Sequence, residues 1–158
     1  MQIDWDEFFE SGKQCLPVRQ YEKNLLDTLP IGSKIVDLGC GDGSLGIEVI
    51  KRNLIYLGVD YSDSALKNAA AKLKIYPSTH QLIKADINKL SLDERLINSD
   101  VIFLRCILAH IDDKKNLLET VKKLLSPNGK IFILSPIRPA DVEQNQDLKR
   151  ISMVENEI

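Results

Sequence analysis

The sequence predicts an α/β fold built on a doubly wound, mainly parallel sheet. Five short apolar runs alternate with segments whose apolar residues recur at helical spacing. Strands separated by helices of this length pair in parallel through right-handed crossovers. A glycine-rich turn follows the first strand, and acidic residues end the next two. Because ligands of such sheets bind at the carboxyl ends of the strands, the same observations predict where a site lies.

The predicted strands are almost continuously apolar, which fits a sheet covered by helices on both faces. A turn with the sequence SPNG is expected at 126–129, immediately before the last strand. The five strands are predicted over residues 34–38, 54–60, 80–86, 100–106 and 130–135.

Helical periodicity predicts the segments between these strands and before the first of them. A helix over 18–29 follows Pro17, which suits a first helical turn, and a short helix is expected to open at the capping box of 91–94. Ser62 or Asp63 can cap another helix. The residues expected on buried helix faces are Tyr21, Leu25 and Leu29, then Leu45, Val49 and Ile50, then Leu66, Ala69, Ala70 and Leu73, and last Leu117, Val121, Leu124 and Leu125.

The length of the chain sets the domain organisation. A chain of 158 residues is long enough for one domain with a core of its own and too short for two. We expect a single domain over 1–158, divided into an N-terminal helical cap (1–30), an α/β core (31–136) and a C-terminal helix or tail (137–158).

Composition limits the partners and the location. The formal net charge is -2 and the basic residues are dispersed, so nucleic acid is not an expected partner. No apolar run approaches the length of a membrane span. The three cysteines are widely spaced and form no cluster with histidine, which predicts neither disulfides nor a metal site. These features predict a cytoplasmic protein.

A glycine-rich turn of this kind can bind a dinucleotide, a nucleoside triphosphate or a methyl-donating nucleoside. Gly41, Gly43 and Gly46 match the dinucleotide pattern GxGxxG, which is a weak signal when it stands alone. No Lys-Ser or Lys-Thr pair follows the glycines, which excludes a triphosphate-binding P-loop. A tight turn without any ligand is the structural alternative.

Three acids decide between the remaining classes. Asp60 ends the second strand and can accept both ribose hydroxyls, as either a dinucleotide or a methyl-donating nucleoside requires. Asp86 ends the third strand and can accept from an adenine amino group, while the backbone N–H of Ile87 can donate to a ring nitrogen. Asp37 precedes the glycines, where it would repel a pyrophosphate but can hold an ammonium group. Tyr61 can lie against an adenine face. The set favours an amino-acid-bearing nucleoside over NAD.

Five motifs occur in order, VDLGCGDG, LGVDYS, KADI, DVIFLRCILAHI and LLSPNGKIFI. Together they resemble the class I S-adenosylmethionine-dependent methyltransferases over about residues 16–136. The resemblance implies a Rossmann-like methyltransferase fold. It also implies an enzyme that transfers a methyl group by in-line displacement from S-adenosylmethionine to an acceptor, leaving S-adenosylhomocysteine. A small-molecule acceptor is expected, and its identity is not written in the sequence.

The resemblance also assigns roles to individual residues. The loop of Gly39, Cys40 and Gly41 is expected to pass under the methionine part of the cofactor. Asp60 is expected at the ribose and Asp86 at the adenine. Arg105 and Cys106 are expected to line the methyl-bearing end, with Cys40 and Cys106 as small wall residues.

Acceptor chemistry has one candidate side chain. His110 follows the fourth strand and can serve as a general base where the acceptor arrives protonated; the alternative is local packing. Trp5, Phe8 and Phe9 are expected either as an aromatic lid or as the apolar face of a docked helix. Arg19 is a candidate for the cofactor carboxylate, with a solvated helix face as the alternative.

The chain departs from the family after its fifth strand. Members continue with a helix and two further strands, whereas residues 137–158 offer room for one helix. The fifth strand is therefore expected at an open apolar edge, covered by the tail, by a second copy in a homodimer, by a partner subunit or by further chain. A non-catalytic S-adenosylmethionine-binding subunit is thus a second interpretation, and an NAD-binding Rossmann protein a third.

Overall fold

Five parallel strands form one sheet in the computed structural model, which describes residues 4–76 and 79–135. The sheet order is β3-β2-β1-β4-β5, so the winding direction changes between β1 and β4. A crevice opens at such a switch point, beyond the carboxyl ends of the strands. The strands are β1 (Lys34–Leu38), β2 (Ile55–Asp60), β3 (His80–Lys84), β4 (Ser99–Arg105) and β5 (Leu125–Leu134).

Helices cover both faces of the sheet, which confirms the doubly wound α/β prediction. Leucine and valine side chains of α2, α3 and α4 share one core cluster with Ile35 and Phe103. Leu117, Val121 and Leu124 of α5 belong to a second cluster with Val36 and Leu38. The helices are α1 (Trp5–Glu10), α2 (Gln20–Asp27), α3 (Ser44–Ile50), α4 (Asp63–Leu73) and α5 (Lys114–Leu124), with 3₁₀ turns at Ile87–Lys89 and Leu108–His110.

The register of the sheet brings the predicted site segments together. Leu38 of β1 pairs with Val59 of β2 and with Leu104 of β4, so these three strands end at the same level. Side chains alternate between faces along a strand, which places Asp37 and Arg105 on the face that α2 covers. The glycine turn, Asp60 and the end of β4 therefore emerge side by side.

Two predicted helix faces need correction. The helix expected over 18–29 spans Gln20–Asp27, and Pro17 lies before it. Its fully buried residues are Glu22 and Leu26. Glu22 can be buried because an arginine from β4 compensates its charge. Ala70 of α4 is exposed, and Ala65 is buried in the stripe instead.

Two predicted local structures were wrong. Residues 94–98 form a turn rather than a helix, because Asp93 Oδ1 accepts the backbone N–H of Arg95 at 2.9 Å and closes a local loop. The expected turn at 126–129 lies inside β5 as a bulge: Leu125 pairs with Ser99 before it and Lys130 pairs with Val101 after it. Pairing with β4 overrides the local turn signal there.

β5 forms one edge of the sheet, as expected from the sequence. Within the described residues no strand pairs with its outer side, and Ile133 is 46% exposed. Residues 136–158, which hold the predicted C-terminal helix or tail, lie outside the described residues. None of the described helices is long and apolar enough to cross a membrane.

Candidate functional site

A cavity of about 590 Å³ lies at the carboxyl ends of β1 to β4. Small-molecule sites commonly occupy about 300–1,000 Å³, so this volume suits a nucleoside-sized ligand. The cavity brings together eight of the ten residues predicted to bind a cofactor, and the predicted base. They are Gly39, Gly41, Asp60, Tyr61, Asp86, Ile87, Arg105 and Cys106, with His110.

The glycine turn forms one wall through its backbone. Gly39 and Gly41 have φ values of 74° and 52°, in the left-handed region that favours glycine. The backbone N–H of Gly39 donates to the Val59 carbonyl at 2.8 Å, which ties the turn to β2. A Cβ atom on Gly39 would come within 2.4 Å of Ile107 Cγ2. Close packing against the segment after β4 thus leaves no room for a side chain.

Asp60 is held in place by the backbone on both sides of it. Its Oδ2 accepts the N–H of Gly41 at 2.9 Å, and its Oδ1 accepts the N–H of Ser62 at 3.0 Å. Burial raises the pKa of Asp60, while these backbone hydrogen bonds act in the opposite direction. Each carboxylate oxygen can accept a further hydrogen bond, so the carboxylate can receive a pair of hydroxyls from the cavity.

The end of β3 supplies the second acid of the cavity. Asp86 is 42% exposed, and its Oδ1 accepts the backbone N–H of Asn88 at 3.0 Å. Ile87, the next residue, is buried and contributes an apolar surface, while Tyr61 at the end of β2 is half-exposed. This end of the cavity combines apolar surface with two carboxylates from neighbouring strands.

Arg105 ends β4 in a buried ion pair. Its Nε donates to Glu22 Oε1 at 2.6 Å. Burial would lower the pKa of Arg105, but the carboxylates of Asp37 and Glu22 raise it above its ordinary value. The next residue, Cys106, has φ 58° and donates its N–H to the Leu134 carbonyl at 2.6 Å. Left-handed backbone at a cysteine turns the chain sharply and carries the following residues over the cavity.

The N-terminal helix α1 forms the roof, docked on α4 through polar groups. Asp6 Oδ1 accepts the hydroxyl of Ser62 at 2.6 Å and the backbone N–H of Ser64 at 3.1 Å. Asn68 Nδ2 donates to the Phe9 carbonyl at 3.2 Å. These bonds attach α1 to the start of α4, directly above the ends of β2 and β3.

Aromatic rings of α1 face the cavity. Trp5 contacts His110 edge to face, with ring centroids 5.1 Å apart, and Phe8 contacts Trp5 at 5.4 Å. Trp5, Phe8 and the buried Phe9 all line the cavity. The two alternatives expected for this segment therefore coexist, since α1 is a docked helix and also covers the site.

The side chains of Asp37 and Cys40 are not among the cavity-lining residues. Asp37 lies beneath the turn, where its Oδ2 accepts the Tyr56 hydroxyl at 2.9 Å and its buried Oδ1 has no hydrogen-bond partner in the described structure. Burial raises the pKa of Asp37 to about 6, against the opposing influences of Arg105 and Tyr56. Cys40 packs into the core beside Gly58, because its side chain leaves the turn on the side opposite the cavity.

Several lining residues were not predicted from the sequence. The segment before α2 contributes Gln14, Cys15, Leu16 and Pro17, and no motif marks it. Burial raises the pKa of the Cys15 thiol to about 11, so this residue is a neutral wall rather than a nucleophile. Arg19 is exposed and is not among the described residues that line the cavity. The other unpredicted lining residues are Asn88, Ile107 and Ile111.

Comparison of the sequence with protein families identifies the family of this chain. A family model described as a methyltransferase domain matches residues 36–131. The chain belongs to this family. The ubiquinone biosynthesis O-methyltransferase of Idiomarina loihiensis is 33% identical over 131 residues, covering 82% of this chain and 53% of that protein. The methyltransferase chain spans about half the length of the curated relatives it matches.

Solved structures agree with the assignment. An S-adenosylmethionine-dependent methyltransferase from Mesorhizobium loti is 30% identical, with a TM-score of 0.61 over 71% of this chain and 51% of that one. A Geobacter sulfurreducens methyltransferase, solved with S-adenosyl-L-homocysteine, has the same fold at 18% identity and a TM-score of 0.65, covering 84% and 55% of the two chains. The fold class and the resemblance to class I methyltransferases are confirmed.

The donor set in the methyltransferase cavity fits S-adenosylmethionine. Asp60 and Asp86 suit the ribose and the adenine, and Gly39 and Gly41 line the same cavity between them and Arg105. Arg105 adds a positive group at the β4 end, where a carboxylate can bind. In the described ranges, no three His, Cys, Asp or Glu side chains are grouped so that they could hold a metal ion.

Proposed function

We propose that this methyltransferase transfers the methyl group of S-adenosylmethionine to a small-molecule acceptor. One observation carries the proposal: a single cavity joins the acids of β2 and β3 to His110 beyond β4. When bound, the cofactor supplies an electrophilic methyl group on a sulfonium, and it leaves as S-adenosylhomocysteine. The protein contributes binding, alignment and exclusion of water.

Binding of the nucleoside falls to the ends of β2 and β3. Asp60 is already oriented by two backbone N–H groups, so no reorganisation is needed before it accepts the ribose hydroxyls. Asp86 is sufficiently exposed to accept the adenine amino group. Ile87 and Tyr61, which follow Asp86 and Asp60 in the chain, supply apolar surface for the base.

The acceptor is proposed to bind under α1, between Trp5, Phe8 and His110. These three rings give an aromatic surface, which suits a planar ring that carries the accepting group. The name of the Idiomarina relative supports an oxygen acceptor of low molecular weight. A phenolic hydroxyl must lose its proton, and no hydrogen bond in the described part of the chain occupies the imidazole of His110. We therefore assign His110 as the general base.

Calorimetry tests the cofactor, and a transfer assay tests the reaction. The wild-type chain should bind S-adenosylmethionine and S-adenosylhomocysteine but not NAD, and Asp60→Ala should lose most of the affinity. With a catechol as acceptor, mass spectrometry should show a product heavier by one methylene group. Failure to bind the methyl donor would overturn the proposal.

A second candidate is a cofactor-binding subunit without catalysis of its own. It is supported by the edge position of β5 and the exposed Ile133, because within residues 4–76 and 79–135 no strand pairs with the outer side of β5, where a second copy or another subunit could pair. Binding of S-adenosylhomocysteine, combined with no turnover on any acceptor until a partner is added, would favour this candidate. Turnover by the chain alone would exclude it.

We also propose that the protein is cytoplasmic and that its chain divides into an N-terminal cap and an α/β core. All three cysteines are unpaired, which supports the reducing cytoplasm. The polar attachment of α1 supports residues 1–30 as a cap over a core formed by 31–136.

A further inference from the structure

Glu22 is a completely buried acid that belongs to none of the cofactor motifs. Its Oε1 accepts from Arg105 Nε at 2.6 Å, and its Oε2 accepts the backbone N–H of Arg19 at 2.7 Å. One carboxylate thus joins the start of α2 to the end of β4. A buried charge in this position is costly unless its partner is held in register, so both groups constrain each other.

Arg105 extends this connection to the segment before α2 that lines the cavity. Its Nη2 donates to the carbonyls of Leu16 and Pro17 at 3.1 and 3.4 Å, and both residues line the cavity. The hydrogen bonds of the guanidinium within the described chain use Nε and Nη2. Nη1 therefore keeps two N–H donors for a ligand, on a side chain that is itself in the cavity wall.

The position of Arg105 separates it from the groups that suit the nucleoside. Asp60 and Asp86 lie at the ends of β2 and β3, on one side of the switch point, whereas Arg105 ends β4 on the other side. A nucleoside bound by the two acids therefore directs its 5′ substituent across the glycine turn towards β4. In S-adenosylmethionine that substituent is an amino-acid chain, which ends in a carboxylate.

We propose that Glu22 is a positioning residue, which holds the Arg105 guanidinium where its Nη1 binds the carboxylate of the cofactor's amino-acid chain. This role rests on the proposed function, because it requires S-adenosylmethionine or its product in the cavity. Glu22 does not touch the ligand and acts only through Arg105. The buried pair also explains why an acid is fully enclosed on the inner face of α2.

Two ligands that differ only in the amino-acid chain provide the test. Isothermal calorimetry would compare S-adenosylhomocysteine with 5′-methylthioadenosine, which lacks the carboxylate. Glu22→Gln should lower the affinity for S-adenosylhomocysteine by about tenfold or more, because a charge-assisted hydrogen bond is misplaced. The affinity for 5′-methylthioadenosine should stay within about twofold of the wild-type value. Glu48→Gln is the matched control: Glu48 pairs with Arg52 at 2.8 Å on α3, outside the cavity, and neither affinity should change.

A general loosening of the fold would lower the affinities for both ligands equally. That result, or no change in either affinity, would overturn the role of Glu22. If Glu22→Gln does not fold, Glu22→Asp decides, since it keeps the charge of the acid but draws the carboxylate away from Arg105 by one methylene group. The same selective loss of S-adenosylhomocysteine supports the proposal, and an equal loss of both ligands overturns it. A wild-type chain that binds neither ligand would instead refute the proposed function on which the role rests.

Discussion

Cys15 lies directly against Gly41: a Cβ atom placed on Gly41 would come within 2.3 Å of the Cys15 Sγ. Gly41 also has φ 52°, which disfavours any residue with a side chain. The segment before α2 therefore closes on the glycine turn through direct van der Waals contact. The Cys15 side chain therefore fits this segment closely to the backbone of the turn.

Gly41→Ala should destabilise the protein because of this contact and the left-handed backbone. We expect a loss of about 1–3 kcal/mol from overpacking, with strain of about 1–2 kcal/mol in addition. In a Cys15→Ala background the overpacking is relieved, so the same substitution should cost less. Urea unfolding of the four proteins measures the difference. An equal cost in both backgrounds would show that Cys15 does not restrict the turn.

Asp60→Asn should reduce the affinity for S-adenosylhomocysteine by roughly 10- to 100-fold, because hydrogen bonds to a charged acceptor are lost. The amide can still accept one backbone N–H, so the fold should persist. Asp63→Asn is the control, since Asp63 pairs with Lys84 on the exposed surface and not in the cavity. Calorimetry provides both affinities. Retention of wild-type affinity in Asp60→Asn would remove Asp60 from the cofactor site.

His110→Ala should lower kcat for a phenolic acceptor by about 10²-fold or more, which is the usual contribution of a general base. Affinity for S-adenosylhomocysteine should stay within about twofold, since His110 is proposed to contact the acceptor and not the cofactor. His80→Ala, the other histidine of the chain, lies at the start of β3 and should keep its turnover. A His110→Ala enzyme with unchanged kcat would show that the residue only packs against Trp5.

Asp37 should make stability depend on pH. Burial raises its pKa from 3.8 to about 6, so the folded state holds this proton more tightly than the unfolded state. The resulting stabilisation is complete below about pH 4 and is lost as pH rises through about 6, by about 3 kcal/mol in total. Relative to Asp37→Asn, the wild-type protein should therefore lose unfolding free energy over this interval.

Urea unfolding of both proteins at a series of pH values from about 4 to 8 measures this difference. Subtraction removes the contributions of the other titrating groups, including Asp60, whose pKa is also raised. A difference between the two proteins that does not vary with pH would contradict the raised pKa of Asp37.

The fold could be predicted because its signals are local. Apolar runs and helical spacing follow from the periods of strands and helices, and the acids at the strand ends follow from where such sheets bind ligands. For this reason Gly39, Asp60 and Asp86 were predicted at the site, and all three line the cavity. The bulge in β5 was missed because the local signal at 126–129 is that of a turn, whereas pairing with β4 is a tertiary property.

Glu22 shows why other parts of the site were not predictable. An acid near the start of an amphipathic helix is normally solvated, and its burial depends on an arginine 83 residues further along the chain. Cys40 is a related case at short range. Its place in the turn was evident, but the direction of its side chain depends on the left-handed conformations of Gly39 and Gly41 on either side.

Trp5 is the single tryptophan of the chain, and it stands edge-on to His110 at the cavity. Indole emission changes with the polarity of its surroundings and with the groups that contact the ring. The molecule therefore carries its own optical reporter at the place where chemistry is proposed. Stopped-flow fluorescence of the unlabelled protein can follow ligand entry in real time.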